Sequence, residues 1–343
     1  MRQRPRRILP VIIASQFAGT SLWFSGNAVL DDLQRQWSLP PEAIGYITSS
    51  VQLGFIAGTL TFAFFALADR VSPRLLFLVC SLLGALANAA PLLGRDSLAV
   101  LLASRFATGF FLAGIYPVGM KIAAGWYQRN LGNALGLLVG ALVLGTAFPH
   151  LLKGLDQALP WHAVMLAVSA LAALGGLLVY ALIPDGPYLG PGGRFDPRTL
   201  ATTFRVPAFR ASAFGYFGHM WELYGFWVFV PWVLAAHVRE VEPVELNVPL
   251  WTFAVIAAGS LGCAAGGLLS LRRGSAPRGR VGSALTIANC IGFAITVFSI
   301  QLLSTAADFV SAQWLLVLLA PGPLLGLAAL LPLLRGTSEK TPA

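Results

Sequence analysis

Charge is what this chain has least of. Only 11% of its 343 residues are Asp, Glu, Lys or Arg, against 57% hydrophobic, and the mean hydropathy is +0.74. A water-facing domain of this length needs far more polar surface, so a soluble fold is excluded. Cysteine is scarce too. Cys80, Cys263 and Cys290 all fall in apolar stretches and lack ligand spacing, which predicts neither a disulfide framework nor a metal site. There is no phosphate-cradling glycine loop, no H-E-x-x-H and no nucleophile elbow. An ATP-driven pump, an intramembrane protease or any other enzyme therefore has no support, and no cofactor is expected.

What the chain has is apolar length. Ten stretches of about twenty or more mostly apolar residues match the helix needed to cross a hydrocarbon core of about 30 Å. They run near Ile8 to Leu30, Ile44 to Ala68, Leu75 to Gly94, Leu98 to Ala123, Leu131 to Leu152, Trp161 to Ile183, Phe209 to Ala235, Pro249 to Leu271, Val281 to Leu303 and Phe309 to Leu334. They are too long for the alternating strands of an outer-membrane barrel. The expected fold class is an all-α polytopic membrane protein.

Charge placement sets an orientation. Of the 23 Lys and Arg residues, Arg105 and Lys121 fall within a span and Arg35, Arg95, Lys153 and Arg239 share one side. All the others collect on the opposite side, so both termini are expected in the cytoplasm and the chain in the cell's inner or plasma membrane. This asymmetry accounts for the net charge of +9 without nucleic acid as a partner. The first apolar run exceeds a usual signal-peptide core and no clean A-x-A site follows it, so it reads as an uncleaved span.

Residues 184–208 form the only connection long enough to join two bundles. They carry Gly190, Gly192, Gly193, Arg194, Arg198 and Arg205. The expected division is a six-helix bundle over 1–183, a cytoplasmic linker over 184–208, a four-helix bundle over 209–335 and a tail over 336–343. Several motifs accompany it. The loop after the second span reads Ala68-Asp69-Arg70-Val71-Ser72-Pro73-Arg74, the fourth span carries Arg105 through Gly109 and Gly114 through Lys121, and the fifth holds Gly136, Gly140, Gly145 and Thr146-Ala-Phe-Pro149-His150. The seventh reads Gly218-His-Met-Trp-Glu-Leu-Tyr224. Together these resemble the major facilitator superfamily, in a subgroup similar to nitrate/nitrite or sugar-efflux carriers. The resemblance implies two parallel repeats of six helices around a midplane site, secondary transport of a small solute by alternating access, and a conformational latch at Asp69, Arg70 and Arg74. The matching loop of the second half, Gly267 to Arg273, has Leu271 in place of the acid.

Twelve spans are implied and ten are present. Gly132-Asn-Ala-Leu135 opens the fifth span and Gly282-Ser-Ala-Leu285 the ninth, each after an arginine cluster. If these are equivalent, the counterparts of the third and fourth spans are missing near Ser275 to Arg280. Loss of an even number preserves every later orientation. The gap raises two further expectations: a homodimer formed through it, and a non-transporting relic or regulatory membrane protein as the alternative function.

Charges at membrane depth mark functional candidates. Arg105 is too deep to reach the interface and is expected either to face a cavity or to lock helices. Lys121, near the cytoplasmic end of its span, can also snorkel. Glu222 lies one turn from His219, so the two share a helix face and form a pair able to carry a proton. Trp23, Asn27, Tyr116 and Trp221 complete the expected substrate and coupling set on the spans that the resemblance makes cavity-lining. An anionic or polar solute suits Arg105 and Lys121, whereas a hydrophobic cation suits Glu222 with the aromatic residues.

Overall fold

The computed structural model describes residues 5–93, 96–156, 158–189, 202–240, 245–273 and 282–336. Every regular element among them is a helix. The first half comprises α1 (Ile8–Thr20), α2 (Ser25–Ala28), α3 (Leu30–Trp37), α4 (Ala43–Phe64), α5 (Leu67–Arg70), α6 (Pro73–Ala89), α7 (Leu98–Leu112), α8 (Tyr116–Trp126), α9 (Leu131–Leu155) and α10 (Trp161–Leu182). The second comprises α11 (Pro207–Glu240), α12 (Val248–Arg273), α13 (Gly282–Ala306), α14 (Ala312–Leu315) and α15 (Pro321–Gly336). Eight helical stretches among the described residues are long and apolar enough to cross a membrane. The other two expected spans correspond to α1 with its continuation into α2, and to the 34-residue α11.

Two spans break for local chemical reasons. After α1 the hydroxyls of Thr20, Ser21 and Ser25 bond to the carbonyls of Gln16, Ala18 and Leu22 at 2.8, 2.6 and 3.1 Å. Such bonds compete with the helical ladder, and the chain turns through residues 21–24 before resuming. The fourth span divides between α7 and α8. Pro117 sits in the first turn of α8, where its missing N–H costs nothing, and could not have continued α7 without breaking that helix.

The helices group into two compact units, Met1–Gly192 with Pro243–Pro277 and Gly193–Glu242 with Arg278–Ala343. In the first, α4 packs on α7, α6 on α7 and α10, and α1 on α9 and α10. The α4–α7 crossing is closest at Gly54 and Gly109. A methyl group added at either would run into the backbone carbonyl of Phe106 or of Val51. Gly54→Ala should therefore destabilise by about 1–3 kcal/mol, as overpacking does. Thermal unfolding in detergent measures it, and an unchanged midpoint would show slack at this crossing.

The span expected at 249–271 is α12, and it groups with the first unit along α9. Gly136 meets Gly267 and Cys263, Gly140 meets Ser260, and Gly154 meets Leu250. Asn247 Nδ2 closes the seam by donating to the Gly154 carbonyl at 2.7 Å. In the second unit α11 packs on α13 and α15, with Gly218 against Gly322 and Gly326, and Gly292 against Tyr216 and Met220. This repeats the way α1 packs on the fifth and sixth spans. No described helix of the second unit takes the places that α6 and α7 hold in the first. The junction at which two spans are expected to be missing, 275–280, lies outside the described residues, as do 190–201 of the linker and 337–343 of the tail.

Candidate functional site

Arg105 on α7 is fully buried, and among the described residues it has no carboxylate partner. Its Nη2 donates to the carbonyls of Leu22 and Trp23 at 2.7 and 2.8 Å, and its Nη1 to Ser25 Oγ and Asn88 Oδ1 at 3.0 and 2.6 Å. Asn88 on α6 passes the network on, donating to the Met165 carbonyl and Ser169 Oγ of α10 at 3.2 and 3.0 Å. The break after α1 exposes carbonyls that a continuous helix would satisfy, and the guanidinium is the group that satisfies them. All four Nη hydrogens are used. The remaining Nε–H lies against Gly26, where a Cβ would sit 3.2 Å from it. Of the two roles open to Arg105 from sequence, the geometry fits a lock joining the first, third, fourth and sixth spans.

Lys121 on α8 donates to the Ala68 carbonyl at 2.5 Å and pairs with the Asp69 carboxylate. Arg74 lies 3.7 Å from Asp185 and stacks over the Tyr180 ring, while Ser72 Oγ donates to the same carboxylate at 2.9 Å. Arg70 is exposed. The acid–arginine loop thus ties α5, α6, α8 and the end of α10 inside the first unit. At the other end of this unit Lys153 donates to Asp32 and to the Leu159 carbonyl, each at 2.8 Å, which fastens α3 to α9.

The aromatic and amide candidates separate. Trp23 is buried and packs on Phe55 with ring centroids 5.0 Å apart. Asn27 Nδ2 donates to Thr48 Oγ1 at 2.7 Å. Tyr116 opens α8. Gln16 on α1 and Gln52 on α4 are each 0% exposed, and neither amide has a hydrogen-bond partner among the described residues. The same holds for Thr59 Oγ1 on α4, Thr146 Oγ1 and His150 Nε2 on α9, and Thr252 Oγ1 on α12. Buried amides without partners are uncommon, because leaving one unbonded costs about 1–3 kcal/mol.

In the second unit His219 Nδ1 and Glu222 Oε1 lie 3.4 Å apart, so the expected pair is present. The two side chains are half-exposed rather than buried. Their face of α11 differs from the one that meets α13 through Tyr216 and Met220. Trp221, although adjacent in sequence to Glu222, points elsewhere. Its Nε1 donates to the Leu318 carbonyl at 3.3 Å and its ring meets Phe298 at 5.8 Å. Gln52, Asn88 and Asp185 were not singled out by the sequence. Gln52 and Asn88 had one available signal, a polar side chain in the middle of an apolar span.

The fold has close counterparts. The human organic anion transporter MFSD10 (TETRAN) aligns over 96% of this chain and 100% of its own with a TM-score of 0.63 and 15% identity. The proton:xylose symporter XylE aligns over 94% and 95% with a TM-score of 0.62 and 13% identity. For the nucleoside transporter NupG the corresponding values are 94%, 99%, 0.57 and 13%. In sequence, the putative uncharacterized transporter YgaY of Escherichia coli (strain K12) is 28% identical over 188 residues. That match takes in 53% of this chain and 45% of YgaY, so the chain spans about half the length of that relative. The family model for the Major Facilitator Superfamily matches residues 11–337, nearly the whole chain, and the chain therefore belongs to that superfamily of membrane transporters.

Proposed function

We propose that this chain is a secondary active transporter of a small polar solute, working by alternating access with proton coupling at the His219–Glu222 pair. The observation that carries the polar-solute reading is the two buried amides of Gln16 and Gln52, which have hydrogen-bonding capacity and no partner among the described residues. A hydroxylated or amide-bearing solute would satisfy them. Arg105 has no Nη hydrogen left for an anion, so a neutral polar solute fits better than a charged one. The sugar and nucleoside named for two of the fold neighbours have this chemistry. Asp69, Arg70 and Arg74 act as the latch of the first unit, with Lys121 as the acid's partner, and both termini lie in the cytoplasm.

Proteoliposome flux under an imposed pH gradient, across a panel of sugars and nucleosides, tests this. Gln16→Leu and Gln52→Leu should raise the half-saturation concentration of the transported solute about three- to tenfold each while the protein stays folded, as loss of one neutral hydrogen bond predicts. Unchanged half-saturation in both variants would remove the amides from the site. A second reading, a non-transporting relic or regulatory protein, is favoured by the second unit's three described spanning helices where the first has a full set. Absence of gradient-dependent flux with any member of the panel would favour it.

A further inference from the structure

The second unit carries a cavity that includes neither the His219–Glu222 pair nor the two buried glutamines. It measures about 810 Å³, within the size range of ligand sites, and opens between α11, α13 and α15. Phe214, Phe217 and Trp221 line it from α11, Phe298 from α13 and Leu325 from α15. Its walls are apolar. Phe214, Phe298 and Leu325 on its rim are 48%, 63% and 70% exposed, so no described part of the chain covers the opening. On α11, Arg210, Phe214, Phe217 and Trp221 follow at i, i+4, i+7 and i+11 and form one stripe. Arg210 therefore stands in line with the groove, about 6 Å along the helix axis beyond Phe214. Its side chain is exposed, its Nη1 donates only a long 3.5 Å bond to the Phe204 carbonyl, and α11 has no acidic residue between Pro207 and Trp221. The described residues of α13 carry no charge at all.

We infer that this groove is the docking site of one anionic phospholipid, with an acyl chain between α11, α13 and α15 and the phosphate on Arg210. The two parts of the site match the two parts of that molecule. A free anion would leave the apolar walls unfilled, and a neutral lipid would leave the guanidinium without a counter-charge. A basic group near a membrane surface favours an anionic headgroup about fivefold. His219 and Glu222 lie off this stripe, so the lipid site is separate from the pair proposed for proton coupling.

The test uses the purified full-length chain in a neutral detergent, titrated with phosphatidylglycerol, phosphatidylcholine or inorganic phosphate and read by native mass spectrometry and thermal unfolding. Wild-type protein should retain one phosphatidylglycerol about fivefold more readily than phosphatidylcholine, and phosphate alone should do nothing. Arg210→Gln should bring phosphatidylglycerol down to the level of phosphatidylcholine without changing the latter. Ala294→Phe, which fills the groove from α13, should weaken both lipids while the protein stays monodisperse and helical. If that variant misfolds, Ala329→Leu fills the groove from α15 instead. Equal retention of the two lipids by wild-type protein, an undiminished preference in Arg210→Gln, or protection by phosphate alone overturns the assignment.

Discussion

Arg105→Lys should leave almost no folded protein to assay. The lysine ammonium is a point charge with three donors and cannot span the two α1 carbonyls, Ser25 and Asn88 at once. Whatever it fails to reach stays buried and unbonded, inside a junction of four spans. Removing one partner from a buried charged network costs about 3–5 kcal/mol, a large share of the roughly 5–15 kcal/mol that holds a typical protein together. Arg105→Ala should do at least as much damage. The yield of monodisperse protein in detergent and its unfolding midpoint measure the effect. A well-folded Arg105→Lys variant that fails only in transport would show instead that the guanidinium handles solute and that the lock is incidental.

Glu222→Gln is expected to abolish accumulation of solute against a gradient while leaving energy-independent exchange near wild-type levels. Exchange needs only that the loaded site reorient, whereas accumulation needs a group that takes a proton on one side and releases it on the other, and a neutral amide does neither. The amide is nearly isosteric, and the position is half-exposed, so packing is not at stake. His219→Ala should alter the pH profile of coupling without eliminating it, because the imidazole is the carboxylate's neighbour at 3.4 Å and is lost while the carboxylate stays. Paired uphill and exchange assays in the same vesicles between about pH 5.5 and 8.5 separate the outcomes. Unimpaired uphill transport by Glu222→Gln would end the assignment, and loss of both activities would make the glutamate structural.

The helices were legible in the sequence because a bilayer imposes a length that few other folds require, and the family motifs lay where the spans predicted. Partners were much less legible. Arg105 stood out as a deep charge, but its acceptors are main-chain carbonyls exposed by a break in α1, and only the clustering of Thr20, Ser21 and Ser25 hints at that break. Lys121 reads in the sequence as a site candidate that can also snorkel, yet it reaches the acid of the neighbouring loop motif. Asp185, which holds Arg74, sits just past the end of a distant span, in what reads as plain linker. The resemblance makes the span of Trp221 and Glu222 cavity-lining as a whole, but one residue of helix turns a side chain through about 100° and carries it to another face. Gln52 escaped notice because an uncharged amide hardly disturbs an apolar run, although its burial makes it among the most informative side chains of the first unit.

The seam between α9 and α12 bears on how the protein is made. The first unit is discontinuous in the chain: it needs Val248–Arg273, which is synthesised only after the whole of α11. Until then Gly136, Gly140 and Gly154 have no helix against them. Small-residue faces of this kind associate by close packing, so the nascent first unit waits in the bilayer with an unfilled groove, open to mispairing or to a membrane chaperone. A fragment ending at Gly192 should therefore insert yet remain unusually sensitive to protease, and supplying residues 243–277 as a separate segment should protect it. On this account α12 acts as a late closing stave, and completion of the first bundle is timed by translation of the second half.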